Sequence, residues 1–338
     1  MTDQPTPPPD EQPATAEDHT RAHSELLELT HGWDERAEQF DTRHGGDVQG
    51  EESNPWREAI RRYSRNLVAM LSLGVIIVMT ALSIFVPMHD SSQASGQHYE
   101  QARQKPSMKH YFGTDHRGRD LWQQAWIGGR ISLSIGFATA LTILIIGVAY
   151  GAISGYVGGR LDNAMMRLLD ALYGLPYIPF AIITVTLVRD KFPDVQPLLY
   201  MVPALSLTTW FTAARIMRGQ VLSIKENEYV EAARSMGAKG QRVLTKHVVP
   251  NTIGIMVVAI FLEVPNAILG EATLSFLGLG VQPPDTSWGR MAFDGKDYYG
   301  VLPHLVWVPA ILIAVTVLCA IAIADGMRDA LDPRGKRL

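Results

Sequence analysis

Six stretches of this chain are apolar enough and long enough to cross a lipid bilayer, and that leaves few folds open. They cover residues 67–86, 131–150, 168–188, 198–214, 253–269 and 305–324. A spanning helix needs roughly 20 apolar residues, because hydrocarbon offers no partner to an unsatisfied backbone group. The pattern predicts an all-α integral membrane protein with six transmembrane helices. The mean hydropathy of only +0.04 reflects polar residues gathered elsewhere.

Much of that polarity lies in residues 1–55, which are Pro-containing and heavily acidic, with no apolar stretch of the secretory kind. Such a composition cannot bury a core, so this tail is expected to be disordered and to lead into a transmembrane domain over 56–338. His19, His23, His31 and His44 are too scattered for a metal site. The single cysteine, Cys319, falls in the last apolar run, which excludes an internal disulfide and a cysteine-based metal or redox centre.

Basic residues set orientation. Arg57, Arg61, Arg62 and Arg65 precede the first run and place the N-terminus in the cytoplasm. An even number of spans returns the C-terminus there, in keeping with Arg328, Arg334, Lys336 and Arg337. The connection over 215–250 is also basic and also falls inside. The first external loop runs against this pattern, with Arg103, Lys105, Lys109, Arg117, Arg119 and Arg130. Charge alone therefore leaves the inverted topology open. Arg117 to Arg130 reads as a short amphipathic helix along the interface, with Trp122 and Trp126 at headgroup level. Gly151 and Gly155 form a small-xxx-small pair suited to close helix packing. Pro176, Pro179, Pro203 and Pro265 kink their spans.

The connection over 215–250 is too long for a turn. Ser223 and Glu226 match a capping box, predicting a helix from Ile224 to about Met236, ended by Gly237 in the left-handed conformation. A second short helix follows, and Pro250 starts a new direction. Glu231 followed by Ala232 and Ala233 would offer a partner one carboxylate and a close approach. By composition the segment serves equally as an amphipathic helix lying on headgroups. The spacing from Glu231-Ala232-Ala233 through Gly237 to His247-Val248-Val249-Pro250 decides for docking, because it resembles the EAA loop of ABC importer permeases.

The resemblance extends over roughly residues 56–338. Phe112-Gly113-Thr114-Asp115 with Gly118-Arg119-Asp120, Glu271-Ala272 with Leu274 to Gly280, Gln282-Pro283-Pro284 with Ser287-Trp288-Gly289, and the closing Leu331-Asp332-Pro333-Arg334 are similar to segments of the dipeptide, oligopeptide and nickel permeases. The match points to the C-type subunit of that family. It implies a type I ABC importer permease fold in the bacterial cytoplasmic membrane, among its lipids. It also implies a second homologous permease, two ATP-binding subunits, an external substrate-binding lipoprotein and short peptides as substrate. ATP and Mg would be bound by the partner ATPases and no cofactor by this chain. Glu231, Ala232, Ala233, Gly237 and Pro250 are the expected coupling residues.

Among polar groups inside the spans, Glu263 is the candidate for the translocation pathway, with pairing to the sister permease or protonation as alternatives. Glu271 reads as a structural hydrogen-bonding group, and Asp170 and Asp325 as members of packing networks. No phosphate-binding G-x-x-x-x-G-K-[ST] occurs, nor a nucleophile–base set, so the chain is expected not to be an enzyme. Nothing in it calls for nucleic acid. A secondary transporter is the first rival, and it should show internal repeats and paired intramembrane carboxylates. A membrane scaffold using the same loop and an ABC exporter are the others.

Overall fold

The apolar runs become helices, but not six unbroken ones. The computed structural model describes residues 55–89, 98–207 and 209–331. The tail up to Asn54 with its histidines, and the closing segment from Asp332 with Arg334, Lys336 and Arg337, lie outside the described residues. The helices are α1 (Pro55–Tyr63), α2 (Leu67–His89), α3 (Leu121–Val157), α4 (Gly159–Tyr173), α5 (Tyr177–Lys191) and α6 (Pro197–Ser206). They continue with α7 (Trp210–Ile224), α8 (Glu228–Ser235), α9 (Gly240–Val243), α10 (Val249–Phe276), α11 (Trp288–Gly295) and α12 (His304–Leu331).

Among the described residues, four helical stretches cross a membrane by length and composition: Leu67–Met88, Leu121–Val157, Gly240–Phe276 and His304–Leu331. The expected third span is instead a broken pair, α4 and α5, bent by 88°. The break falls at Gly174-Leu175-Pro176, where a flexible residue meets a ring that cannot continue the helix. The expected fourth span is likewise split, into α6 and α7. Pro203 inside α6 removes a backbone donor just before that split.

α3 has 37 residues, about 55 Å of helix, well beyond a hydrocarbon core of about 30 Å. This corrects the expectation of a separate interfacial helix over 117–130. That segment is a structured loop followed by the first turns of α3. Trp126 is buried in the main core with Trp288, Leu121 and Leu305 rather than standing at headgroup level. Trp122 packs edge-on against Phe112 and Trp126.

The Phe112–Asp120 motif is a capping device. Asp120 N-caps α3, accepting from the backbone N–H of Trp122 at 2.7 Å and Gln123 at 3.3 Å, and its other oxygen meets His110 Nδ1 at 2.6 Å. Asp115 accepts from the backbone N–H of Arg117 and Arg119 and from the Arg119 side chain at 2.7 Å. Gly118 stands at φ +76, and any Cβ there would run into the His98 carbonyl.

A second polar cluster joins α3, α10 and α11. Glu271 is fully buried and accepts from Ser132 Oγ at 3.0 Å and Ser275 Oγ at 2.7 Å. Ser132 Oγ in turn accepts from Trp288 N–H, and Ser275 Oγ from Val281 N–H. The structural role expected for Glu271 is the one it has here. Trp288 is fully buried and its Nε1–H donates to the Ala125 carbonyl at 2.8 Å. Trp288→Ala removes both the packing and the hydrogen bond and is expected to cost about 3–5 kcal/mol. The check is the midpoint of thermal aggregation of the detergent-solubilised protein.

Close packing of α7 on α3 rests on three glycines. Added Cβ atoms at Gly147, Gly151 and Gly155 would meet Ala213, the Ala214 carbonyl and the Arg218 carbonyl respectively. The two helices therefore meet backbone to backbone, as the small-xxx-small pattern predicts.

Candidate coupling site

α7 carries its apolar face, Met217 and Val221, straight down to Ile224 against α3. Ser223 is therefore inside α7 and does not start a helix, which corrects the capping-box reading. The break comes at Lys225 to Asn227, and Asn227 is the N-cap of α8, without a side-chain cap. Burial of the helical face outweighs a local capping signal worth about 1 kcal/mol.

α8 ends as its sequence predicts. Gly237 has φ +85, Ala238 N–H donates to the Ala233 carbonyl at 3.1 Å and Gly237 N–H to the Arg234 carbonyl at 2.9 Å. These are the two bonds of a Schellman cap. Past it, α9 runs through a π-helical turn over Leu244–Val248 directly into α10. Pro250 was expected to redirect the chain, but the helix is continuous. Pro250 directly follows the π turn, whose altered hydrogen-bond register accommodates the missing N–H within the continuous helix.

The helix is fixed from behind. Val230 is buried in a core with Met217, Val221, Val243 and Val248, and Ala233 is buried on the same helix. Arg234 lies 5.4 Å over the Tyr156 ring of α3. Asn251 Nδ2–H donates to the Tyr229 hydroxyl at 3.2 Å, joining α8 to the start of α10. Glu231 and Ala232 face outward, whereas Ala233 does not. The outward strip also takes in Tyr229, 44% exposed, and Met236, 82% exposed. Sequence reasoning missed both. The signal was available, since an apolar side chain on the polar face of an amphipathic helix has no core to join.

Of the expected residues, Glu231, Ala232 and Gly237 thus share one surface. Pro250 lies beside the Tyr229–Asn251 tie, and Ala233 supports the surface from within. Glu263 is elsewhere, about 20 Å further along α10 than Pro250. It lines a groove of ≈590 Å³ with Ala140, Leu144, Ala213, Met256 and Arg328, and a second of ≈540 Å³ with Tyr177, Phe211 and Asn266. Asn266 donates to it at 3.4 Å.

Residues 147–337, which include this whole surface, match the family described as the binding-protein-dependent transport system inner membrane component. Our chain belongs to that family. Residues 54–106 match the N-terminal transmembrane domain of oligopeptide transport permease C. The permease is 42% identical to the oligopeptide transport system permease protein OppC of Bacillus subtilis, covering 82% of this chain and 90% of that one. It is 40% identical to the dipeptide transport system permease protein DppC of the same organism, over 83% and 86%. A solved MetNI methionine ABC transporter in an inward-facing conformation aligns with TM-score 0.48 and 17% identity, over 61% of this chain and 97% of that one. The family match and the OppC and DppC relatives make the protein a multi-pass permease subunit of an ABC importer, as the C-type resemblance implied.

Proposed function

We propose that this permease pairs with a second, homologous permease to form the pathway of a short-peptide importer. Two partner ATPases bind ATP and Mg and hydrolyse the nucleotide, and an external binding lipoprotein delivers the substrate. α8 is the docking helix, with Glu231, Ala232 and Gly237 at the contact, Ala233 behind it and Pro250 at its tie to α10. The observation that carries this reading is the outward strip Tyr229, Glu231, Ala232 and Met236 on a helix held rigidly from behind. An exposed apolar residue flanked by a carboxylate fits a protein groove. The surface then faces the cytoplasm, with both termini on the same side.

Peptides are proposed as substrate because the relatives named above are oligopeptide and dipeptide permeases. The test is uptake of a labelled peptide by a strain deleted for this chain, together with mass spectrometry of what co-purifies from native membranes. Recovery of a second permease and P-loop ATPases with restored peptide uptake supports the assignment. Recovery of the ATPases with uptake of another solute only, such as a nickel chelate, moves the substrate and keeps the importer. The chain recovered alone points to a secondary transporter.

Glu263 is proposed to line the pathway, contacting the peptide amino group. Loss of one charge-assisted contact is worth about 1.5 kcal/mol, or about tenfold. Glu263→Ala should therefore lower peptide uptake about tenfold while the ATPases still co-purify. Unchanged uptake sinks the pathway role.

A further inference from the structure

The first half of the broken span is bolted to the helix that leads into the docking helix. Asp162 lies in the first turn of α4 and is only 6% exposed. Arg218 of α7 grips both its oxygens, Nε to Oδ1 at 2.5 Å and Nη2 to Oδ2 at 2.6 Å. Ser154 of α3 donates to the same Oδ1 at 2.5 Å. Two turns along α4, Asp170 accepts from Arg215 Nη2 at 2.6 Å. The two pairs form a two-rung ladder between α4 and α7. The second rung is well exposed and adds little by itself.

The other end of α7 meets the coupling surface. Three residues, Lys225 to Asn227, separate it from α8. Lys225 Nζ donates to the Gly155 carbonyl at 3.1 Å, and Arg234 of α8 rests over Tyr156 of α3. α3 and α7 pack backbone to backbone, so neither gives way separately. The helical hydrogen bonding is interrupted instead at Gly174-Leu175-Pro176, where α4 meets α5 at 88°. A forked guanidinium–carboxylate pair tolerates little change of angle, so it passes on a displacement rather than absorbing it.

We propose that Asp162 and Arg218 are positioning residues for transport. Their pair carries movement of the docking helix into α4, which swings on the joint at 174–176 relative to α5. The proposal rests on the coupling role assigned to α8.

The test uses the whole purified complex with Cys319→Ser as background and spin labels placed by Arg167→Cys on α4 with either Leu187→Cys on α5 or Gln241→Cys on α9. All three label positions are exposed. On trapping with ATP and vanadate, the α4–α5 distance should change by about 5 Å, the scale of one helical turn, while the α4–α9 distance holds. Adding Asp162→Asn should abolish the α4–α5 change and lower peptide uptake per ATP hydrolysed at least tenfold. Arg218→Lys, which keeps the charge and loses the fork, should show the same defect in smaller degree.

An unchanged α4–α5 response in Asp162→Asn overturns the proposal. So does an equal fall in uptake and hydrolysis, or loss of assembly in both variants, since each marks a merely structural pair. A wild-type complex without ATPases means instead that the coupling reading itself has failed. A wild-type complex with ATPases but no α4–α5 response overturns only the ladder.

Discussion

Gly151→Ile is expected to leave almost no permease in the membrane. A side chain at Gly151 would press on the Ala214 carbonyl, Met217 Cβ and, at 3.0 Å, the Arg218 amide. Two of the three are backbone and cannot rotate away. The whole of α7 would have to lift, opening the core of Ile143, Ala152, Met217 and Val221 beneath it. Overpacking costs about 1–3 kcal/mol where side chains can adjust, so the upper end is a minimum here. Against a net stability of about 5–15 kcal/mol that is a large fraction. Gly219, on the same α7, is the control, since nothing lies within 4 Å of a Cβ added there. Gly219→Ala should be neutral or slightly stabilising, by up to about 1 kcal/mol. Immunoblots of the membrane fraction and thermal aggregation in detergent report both outcomes. Normal accumulation of Gly151→Ile would refute the backbone contact.

Adjacent alanines in α8, the proposed docking helix, should fail in opposite ways. Ala232 faces outward, so Ala232→Arg is expected to insert and fold normally yet lose the ATPases. A charged, bulky group on a close-approach surface should cost about 2 kcal/mol, the scale of an interface hot spot, or about thirtyfold in affinity. Ala233 is 5% exposed, so an Arg there would bury a charge with no partner, and Ala233→Arg should unfold the segment itself. The readouts are ATPase co-purification and aggregation temperature. Equal ATPase recovery from Ala232→Arg and wild type would remove α8 from the interface.

Apolar run length gave the spanning segments wherever one helix does the crossing, as in α2 and α12. It misled where an apolar run is broken, between α4 and α5 and between α6 and α7, because a hydropathy window does not register a bend. The prolines at 176 and 203 were visible, but whether a proline kinks a helix or ends it depends on what packs around it. At Ser223 a local signal lost to the buried face of α7. At Gly237 the local signal won, because the helix end is exposed and nothing opposes the left-handed turn. The charges of the loop before α3, which oppose the orientation read from the rest of the chain, include Arg119, and its partners Asp115 and Asp294 come partly from distant sequence. The Asp162–Arg218 pair spans 56 positions and no spacing rule announces it.

The break at Gly174-Leu175-Pro176 has a bearing on how the cell handles this chain. All three residues are exposed when the chain stands by itself. Non-helical backbone at membrane depth is tolerated only where protein or a watery lumen covers it. If the proposed second permease is what covers this segment, a copy made in excess of it would carry the segment uncovered. The half-life of the chain should shorten when it is expressed alone and recover when its partners are supplied.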